Sequence, residues 1–159
     1  MEKENNWHQV IEKRARKGKL MVDAIRECRI EQGWNVDYRN VRANGVDLMA
    51  WQARNPEEPT KNLWYEIYEI TNWNINGYCT KERLNGMIKN LNSKESEILK
   101  EKPDARVVKI IVFNYRENLR KIGLKYAHDL TANNHIYIAF GTEMKLEENE
   151  EIIEGWVED

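Results

Sequence analysis

Gly45–Trp51 (GVDLMAW) and Leu63–Asn72 (LWYEIYEITN) are the segments that decide the fold, and a proline-containing loop separates them. Their apolar, aromatic and β-branched residues predict two strands. Acids are rare in strands, because a half-buried carboxylate is unfavourable unless it is paired, hydrogen-bonded or bound to a metal. The role of Asp47, Glu66 and Glu69 is therefore the first question that the sequence raises.

The two glutamates are predicted to lie on opposite faces of their strand, because alternate residues of a strand share a face. One of them can join Asp47 at a site, whereas the other faces solvent or the basic side of a helix. For Glu66, the simplest role is a cross-strand ion pair with a surface Lys or Arg. Asp47 suits two roles equally, a cap on local backbone N–H groups or a metal ligand, and the same alternatives hold for Glu69.

The remaining elements follow from apolar spacing and turn residues. In chain order they are a helix over Trp7–Gln32, a strand over Trp34–Val41, a helix capped by Thr80, a strand over Arg106–Tyr115, a helix marked by Leu119, Ile122, Tyr126 and Leu130, and a strand over Ile136–Phe140. With the two central strands the order is α-β-β-β-α-β-α-β. This order predicts an α/β fold in which helices flank both faces of a mixed β-sheet.

Charge divides the chain into two parts. Residues 145–159 (KLEENEEIIEGWVED) hold one Lys and seven acids, a net charge of −6. Because the net charge of the whole chain is −2, residues 1–144 carry a net charge of +4. Residues 1–144 are predicted to form a single domain. A basic domain is compatible with a polyanionic partner.

The composition predicts a cytoplasmic protein without a membrane segment. No apolar run approaches the roughly 20 residues of a membrane span, and the charged N-terminus lacks the apolar core of a signal peptide. Cys28 and Cys79 have the spacing of neither a metal site nor a disulfide framework.

At this point the chain resembles the restriction-endonuclease-like nucleases with the PD-(D/E)xK signature, a superfamily that includes the archaeal Holliday-junction resolvases. Residues 45–47 (GVD) are similar to the family's second-strand aspartate motif, and residues 69–71 (EIT) to its third-strand acid-x-Lys motif. The order of elements over residues 7–115 is also similar. The resemblance implies a restriction-endonuclease-like core.

The resemblance also implies a metal site in which Asp47 and Glu69 hold Mg²⁺ or Mn²⁺. An acid of the first helix often completes such a site, and Glu12 and Asp23 are the candidates from that helix. Glu66, on the third strand, is a further candidate ligand. The alternative for Asp23 is a helix-surface ion pair with Lys19 or Arg26, and Glu12 could pair in the same way with Arg16.

Thr71 stands where the family has its catalytic lysine. In the family this lysine polarises the attacking water and the scissile phosphate, and the basic group can move to the following helix. Lys81, with Arg83 as a further candidate, would supply it here, so the implied catalytic residues are Asp47, Glu69 and Lys81. The basic residues implied to hold the DNA backbone are Arg14, Arg16, Lys17 and Lys19.

The implied activity is metal-dependent hydrolysis of DNA phosphodiester bonds, as a Mg²⁺-dependent endo- or exodeoxyribonuclease. The alternative is a nucleic-acid-binding or protein-interaction module on the same fold that has lost catalysis together with its lysine. Homodimers are common among the nucleases that the chain resembles, and the sequence leaves this question open.

Overall fold

A computed structural model describes residues 21–37 and 45–141 of the chain. The elements are α1 (Met21–Glu31), β1 (Asn35–Val36), β2 (Leu48–Ala53), β3 (Leu63–Ile70), α2 (Lys81–Glu101), β4 (Arg106–Phe113), the short 3-10 helix η1 (Arg116–Leu119), α3 (Leu124–Asn133) and β5 (Ile136–Phe140). The predicted α/β class, the mixed sheet and the order of elements are confirmed. The restriction-endonuclease-like core stays a prediction.

The five strands form one sheet in the order β1-β2-β3-β4-β5. β2 is antiparallel to β1 and β3, whereas β3, β4 and β5 are parallel. Each parallel connection passes through a helix, as such a crossover requires. The carboxyl ends of the three parallel strands therefore share one edge of the sheet, and β2, which runs the other way, begins at that edge. Open α/β sheets bind ligands at this kind of edge.

Helices cover both faces of the sheet. On the first, face A, Ala24, Ile25 and Cys28 of α1 pack against apolar residues of β2, β3 and β4. On the second, face B, α2 and α3 pack over Ile67 and Phe113. No helix within residues 21–37 and 45–141 has both the length and the apolar character of a membrane span.

Several element ends have a local cause. α1 ends before Gly33, whose φ of 91° is a conformation that favours glycine. Thr80 caps α2 as predicted, since its side chain accepts a hydrogen bond from the backbone N–H of Arg83. The third predicted helix is divided into η1 and α3 by Gly123, which has a φ of 92°.

Part of the sequence-based prediction falls on residues 1–20, 38–44 and 142–159, which lie outside the described residues. This applies to the start of the first helix, the end of the first strand and the acidic tail. It also applies to five candidate site residues, namely Glu12, Arg14, Arg16, Lys17 and Lys19.

Candidate functional site

Asp47 lies just before β2, beside the carboxyl end of β3. Its backbone N–H donates to the carbonyl oxygen of Tyr68 at 2.9 Å. Its carboxylate atom Oδ2 accepts a hydrogen bond from the backbone N–H of Ile70 at 2.8 Å. The cap on a backbone N–H group, one of the two predicted roles of Asp47, is therefore present, and it fixes the carboxylate at the end of β3.

The strand pattern is interrupted at Asp47. Val46 and Met49 both pack on face B, whereas Leu48 packs on face A. Regular alternation would place Val46 and Leu48 on the same face. β2 consequently begins at Leu48, and the carboxylate of Asp47 is free to turn towards the neighbouring strand. Gly45, with a φ of 84°, provides the preceding turn.

Glu69 is the second acid at this edge. Leu48 pairs with Tyr68 at the end of the antiparallel ladder. Glu69 follows Tyr68 and precedes Ile70, whose backbone N–H donates to Asp47. Only 5% of the Glu69 surface is exposed. Its alternation with Tyr65 and Ile67 directs it towards face B, and it has an interaction partner of its own. Both acids that were predicted as metal ligands therefore lie at the carboxyl end of β3, and their role as a metal site stays a prediction.

Glu66 lies on face A, where it pairs with Arg29 of α1. The guanidinium donates through Nε and Nη2 to the two carboxylate oxygens, at 2.9 and 2.8 Å. The Tyr68 hydroxyl donates to Oε1 of Glu66 at 2.6 Å. The predicted separation of Glu66 from Glu69 is present. Glu66 does form an ion pair, but its partner lies on α1 instead of a neighbouring strand, and the pair is buried instead of at the surface.

The buried network shifts the ionisation of its members. Burial, the largest single cause, would lower the pKa of Arg29, but the charges and hydrogen bonds of Glu66 and Tyr68 together outweigh it, so the pKa is raised. Burial, and then the charge of Glu66, raise the pKa of Tyr68 well above its ordinary value. Arg29 therefore stays charged and Tyr68 stays protonated, and Glu66 is committed to this structural network.

Thr71 is buried, and its hydroxyl donates to the carbonyl oxygen of Val112 at 3.0 Å. The backbone N–H of Thr71 donates to the same oxygen at 2.9 Å. The position that carries a lysine in the resembled family is therefore a neutral side chain whose hydroxyl is already engaged.

The two candidate basic residues lie in the first turn of α2 and are exposed. The ammonium of Lys81 lies 4.7 Å from the ring centroid of Tyr126. An exposed cation–π contact contributes only about 0.5–1 kcal/mol, so Lys81 can leave this ring readily. Arg83 contributes its backbone N–H to the Thr80 cap.

Asp23 forms the helix-surface ion pair that was the alternative to a metal site. One of its oxygens lies 2.7 Å from Nη2 of Arg26. Both residues belong to α1, the helix that covers face A. Asp23 therefore lies in the layer across the sheet from Glu69.

A divalent metal is compatible with the donor atoms of Asp47 and Glu69. Within the ranges that the structure describes, no three His, Cys, Asp or Glu side chains converge on one point. Mg²⁺, however, is often held by one or two carboxylates, with water in the remaining positions, and Mn²⁺ takes similar oxygen ligands. Oδ2 of Asp47 is occupied by Ile70, so Oδ1 is the oxygen that remains for a ligand.

The sequence did not reveal the residues that organise the loop between β3 and α2. Asn118 is completely buried and donates to two carbonyl oxygens of this loop. The asparagine-rich segment 72–76 signals a turn. Nothing in the pattern identifies its partner, which lies 44 residues further along the chain from Asn74.

No protein-family model, no curated protein and no solved structure matches the chain. The site is therefore defined by its chemistry. Asp47 and Glu69 both lie at the carboxyl end of β3, a neutral Thr71 follows that strand, and exposed cations occupy the start of α2.

Proposed function

We propose that the chain is a metal-dependent nuclease-like protein that hydrolyses DNA phosphodiester bonds. The observation that supports this proposal is that Asp47 and Glu69 both lie at the carboxyl edge of the parallel strands, where the backbone N–H of Ile70 holds the Asp47 carboxylate. Carboxylates at such an edge can hold Mg²⁺ or Mn²⁺ while leaving space for water and a phosphate. The net positive charge of residues 1–144 is compatible with a DNA partner.

Each residue has a defined role in this proposal. Asp47, through Oδ1, and Glu69 would hold the metal, which when bound acidifies water and neutralises charge on the phosphate. The hydrogen bond from Ile70 holds the Asp47 carboxylate in one orientation. Lys81, and Arg83 beside it, would supply positive charge to the phosphate that Thr71 cannot supply.

A second candidate function is a nucleic-acid-binding or protein-interaction module without catalysis. The observation that favours it is the neutral Thr71, whose hydroxyl is donated to Val112. In this case the hydrogen bond between Asp47 and Ile70 would serve the fold alone. The two functions differ in whether a metal and the two carboxylates are needed.

The test is a cleavage assay on linear, branched and single-stranded DNA, with and without Mg²⁺ or Mn²⁺. It compares the wild type with Asp47→Asn and Glu69→Gln, and Glu58→Gln in the exposed loop before β3 serves as the matched control. Even indirect partners of a metal contribute about 10–100-fold to activity, so loss of a direct ligand should reduce cleavage by about 100-fold or more. Asp47→Asn is preferred to Asp47→Ala because its amide oxygen can still accept the hydrogen bond of Ile70.

Equal background cleavage by the wild type and Asp47→Asn would contradict the nuclease proposal. Calorimetric titration with Mn²⁺ provides a readout that does not depend on turnover, and both site variants should lose the binding that Glu58→Gln retains. Salt-sensitive DNA binding that persists in Asp47→Asn and needs no metal would instead support the second candidate.

A further inference from the structure

The loop between β3 and α2 exposes apolar side chains beside the candidate site. Among the described residues, the large hydrophobic side chains that are exposed are those of Ile75 and Tyr78, at 46% and 49%. We call residues 72–79 the Tyr78 loop. It begins one residue after Thr71, at the same edge of the sheet as Asp47. Both of these exposed side chains therefore lie on this one loop.

The backbone of the Tyr78 loop is held in one conformation by two side chains. Asn118 donates to the carbonyl oxygens of residues 74 and 77, at 2.9 Å each. Arg120 donates to the carbonyl oxygens of residues 75, 76 and 77, at 3.3, 2.6 and 3.1 Å. Four consecutive carbonyl groups are therefore fixed from outside the loop. A surface fixed in this way loses little conformational freedom when it binds a partner.

Two cations lie over the half-exposed ring of Tyr78. The guanidinium carbon of Arg120 lies 5.7 Å from the ring centroid, and Nζ of Lys121 lies 5.1 Å from it. Residues 72–85 and 116–121 together hold five Lys or Arg and two Glu. The partner that complements this surface is consequently an anion with a flat apolar group.

We propose that the Tyr78 loop binds a nucleic-acid strand with unpaired bases, one of which stacks on Tyr78 while Lys121 contacts the phosphates. The inference rests on the proposed function, since it names the form of DNA that would be presented to Asp47 and Glu69. Aromatic side chains stack on any base, but the base must lie outside a duplex. An acidic peptide also supplies negative charge, but only where it carries an aromatic residue could it stack on the ring.

The test is fluorescence anisotropy of a labelled single strand and of the same strand in a duplex. The full chain is used in EDTA, so that binding is measured without cleavage. The wild type should bind the single strand more tightly than the duplex. Tyr78→Ala should weaken single-strand binding by about 5- to 100-fold, because it removes one stacked base. Tyr78→Phe keeps the ring and should bind like the wild type.

Two further variants test the cations and the fixed loop. Lys121→Gln should weaken binding and reduce its salt dependence by about one released ion, whereas Lys100→Gln, exposed near the far end of α2, should not. A Cβ atom at Gly77 would lie 2.8 Å from Cβ of Trp73, so Gly77→Ala must shift the loop. It should weaken binding although Tyr78 is present. Circular dichroism checks that each variant is folded.

Equal single-strand binding by the wild type and Tyr78→Ala would overturn the proposal, as would equal affinity for strand and duplex. The proposal would also be overturned if the protein bound no nucleic acid but used Tyr78 to bind a synthetic peptide with the sequence of residues 145–159. Strand binding that depends on Tyr78 in a protein that cleaves no DNA supports the loop and contradicts the nuclease. Cleavage that depends on Asp47, with strand binding unchanged by Tyr78→Ala, would support the nuclease proposal and contradict strand binding by the Tyr78 loop.

Discussion

Arg29 and Glu66 form a salt bridge whose side chains are 0% and 1% exposed. Both charged groups are shielded from solvent, and each is stabilised by the opposite charge of its partner and by neighbouring groups. The Arg29 guanidinium lies 4.7 Å from the ring centroid of Trp34 and also donates to Gln32. A buried pair of this kind is most sensitive to loss of one partner, because the other charge then remains buried without compensation.

Glu66→Gln should therefore lower the free energy of unfolding by about 3–5 kcal/mol, because the pKa of Arg29 is raised and its charge persists. Urea unfolding at neutral pH measures the change. Asp129→Asn is the control, since Asp129 pairs with Lys125 at the surface, and its unfolding midpoint should not move. Similar midpoints for the two variants would contradict a dominant role of the buried pair.

Sequence periodicity could predict that Glu66 and Glu69 separate, because alternation is a property of the strand alone. It could not identify Arg29, which precedes Glu66 by 37 residues and reaches it only when α1 packs on the sheet. The periodicity also fails at Asp47, where a side-chain hydrogen bond to Ile70 replaces the regular strand. Local patterns therefore predicted the faces of β3, but tertiary contacts determined the partners and the start of β2.

At the scale of elements, the difference between prediction and structure lies in the segment after β4. The apolar spacing from Leu119 to Leu130 predicts one helix, yet η1 ends at Leu119 and α3 begins at Leu124. The apolar residues of both segments contact the same core on face B. The apolar spacing therefore predicts which residues are buried, whereas the break between η1 and α3 depends on Gly123 and its positive φ.

Gly123→Ala should destabilise the protein by about 1–3 kcal/mol, the cost of a sparsely populated backbone conformation for a residue with a Cβ atom, since Gly123 has a φ of 92° and a ψ of 135°. The added atom would meet no other atom within 4 Å, so backbone strain is the only expected cause. Gly86→Ala is the matched control: it lies inside α2, its Cβ also meets no atom within 4 Å, and its φ is not positive.

Gly86→Ala should raise stability by about 0.5–1 kcal/mol, because alanine favours a helix interior. Thermal unfolding of the two variants measures both effects. Changes of the same sign would show that backbone conformation at Gly123 is not what divides η1 from α3.

For the molecule as a whole, buried weak acids couple stability to pH. Burial is the largest cause of the raised pKa in Tyr65, Tyr68 and Cys79, and that of Cys79 is raised to about 11. The unfolded chain releases these protons at lower pH than the folded one. Their contribution to stability is therefore complete below the unfolded pKa values, about 8.5 for Cys and 10 for Tyr, and declines as pH rises towards the folded values.

The free energy of unfolding should consequently fall as pH rises above about 9. Tyr68→Phe removes one of these acids and should make the decline shallower above about pH 10, although it also loses a hydrogen bond of about 1 kcal/mol at neutral pH. Urea unfolding over a series of pH values measures the slope for each protein. Parallel profiles for the wild type and the variant would contradict the assignment to Tyr68.

β3 is the middle strand of the sheet, and its acids point to different sides. If β3 moved by one residue against β2 and β4, every side chain would exchange faces. Glu66 would enter the apolar core beneath α2, and Ile67 would replace it opposite Arg29. Such a shifted sheet would bury two unpaired charges, each at a cost of several kcal/mol. The carboxylates of β3 thus specify how its neighbours align, and a misaligned sheet is excluded before any ligand binds.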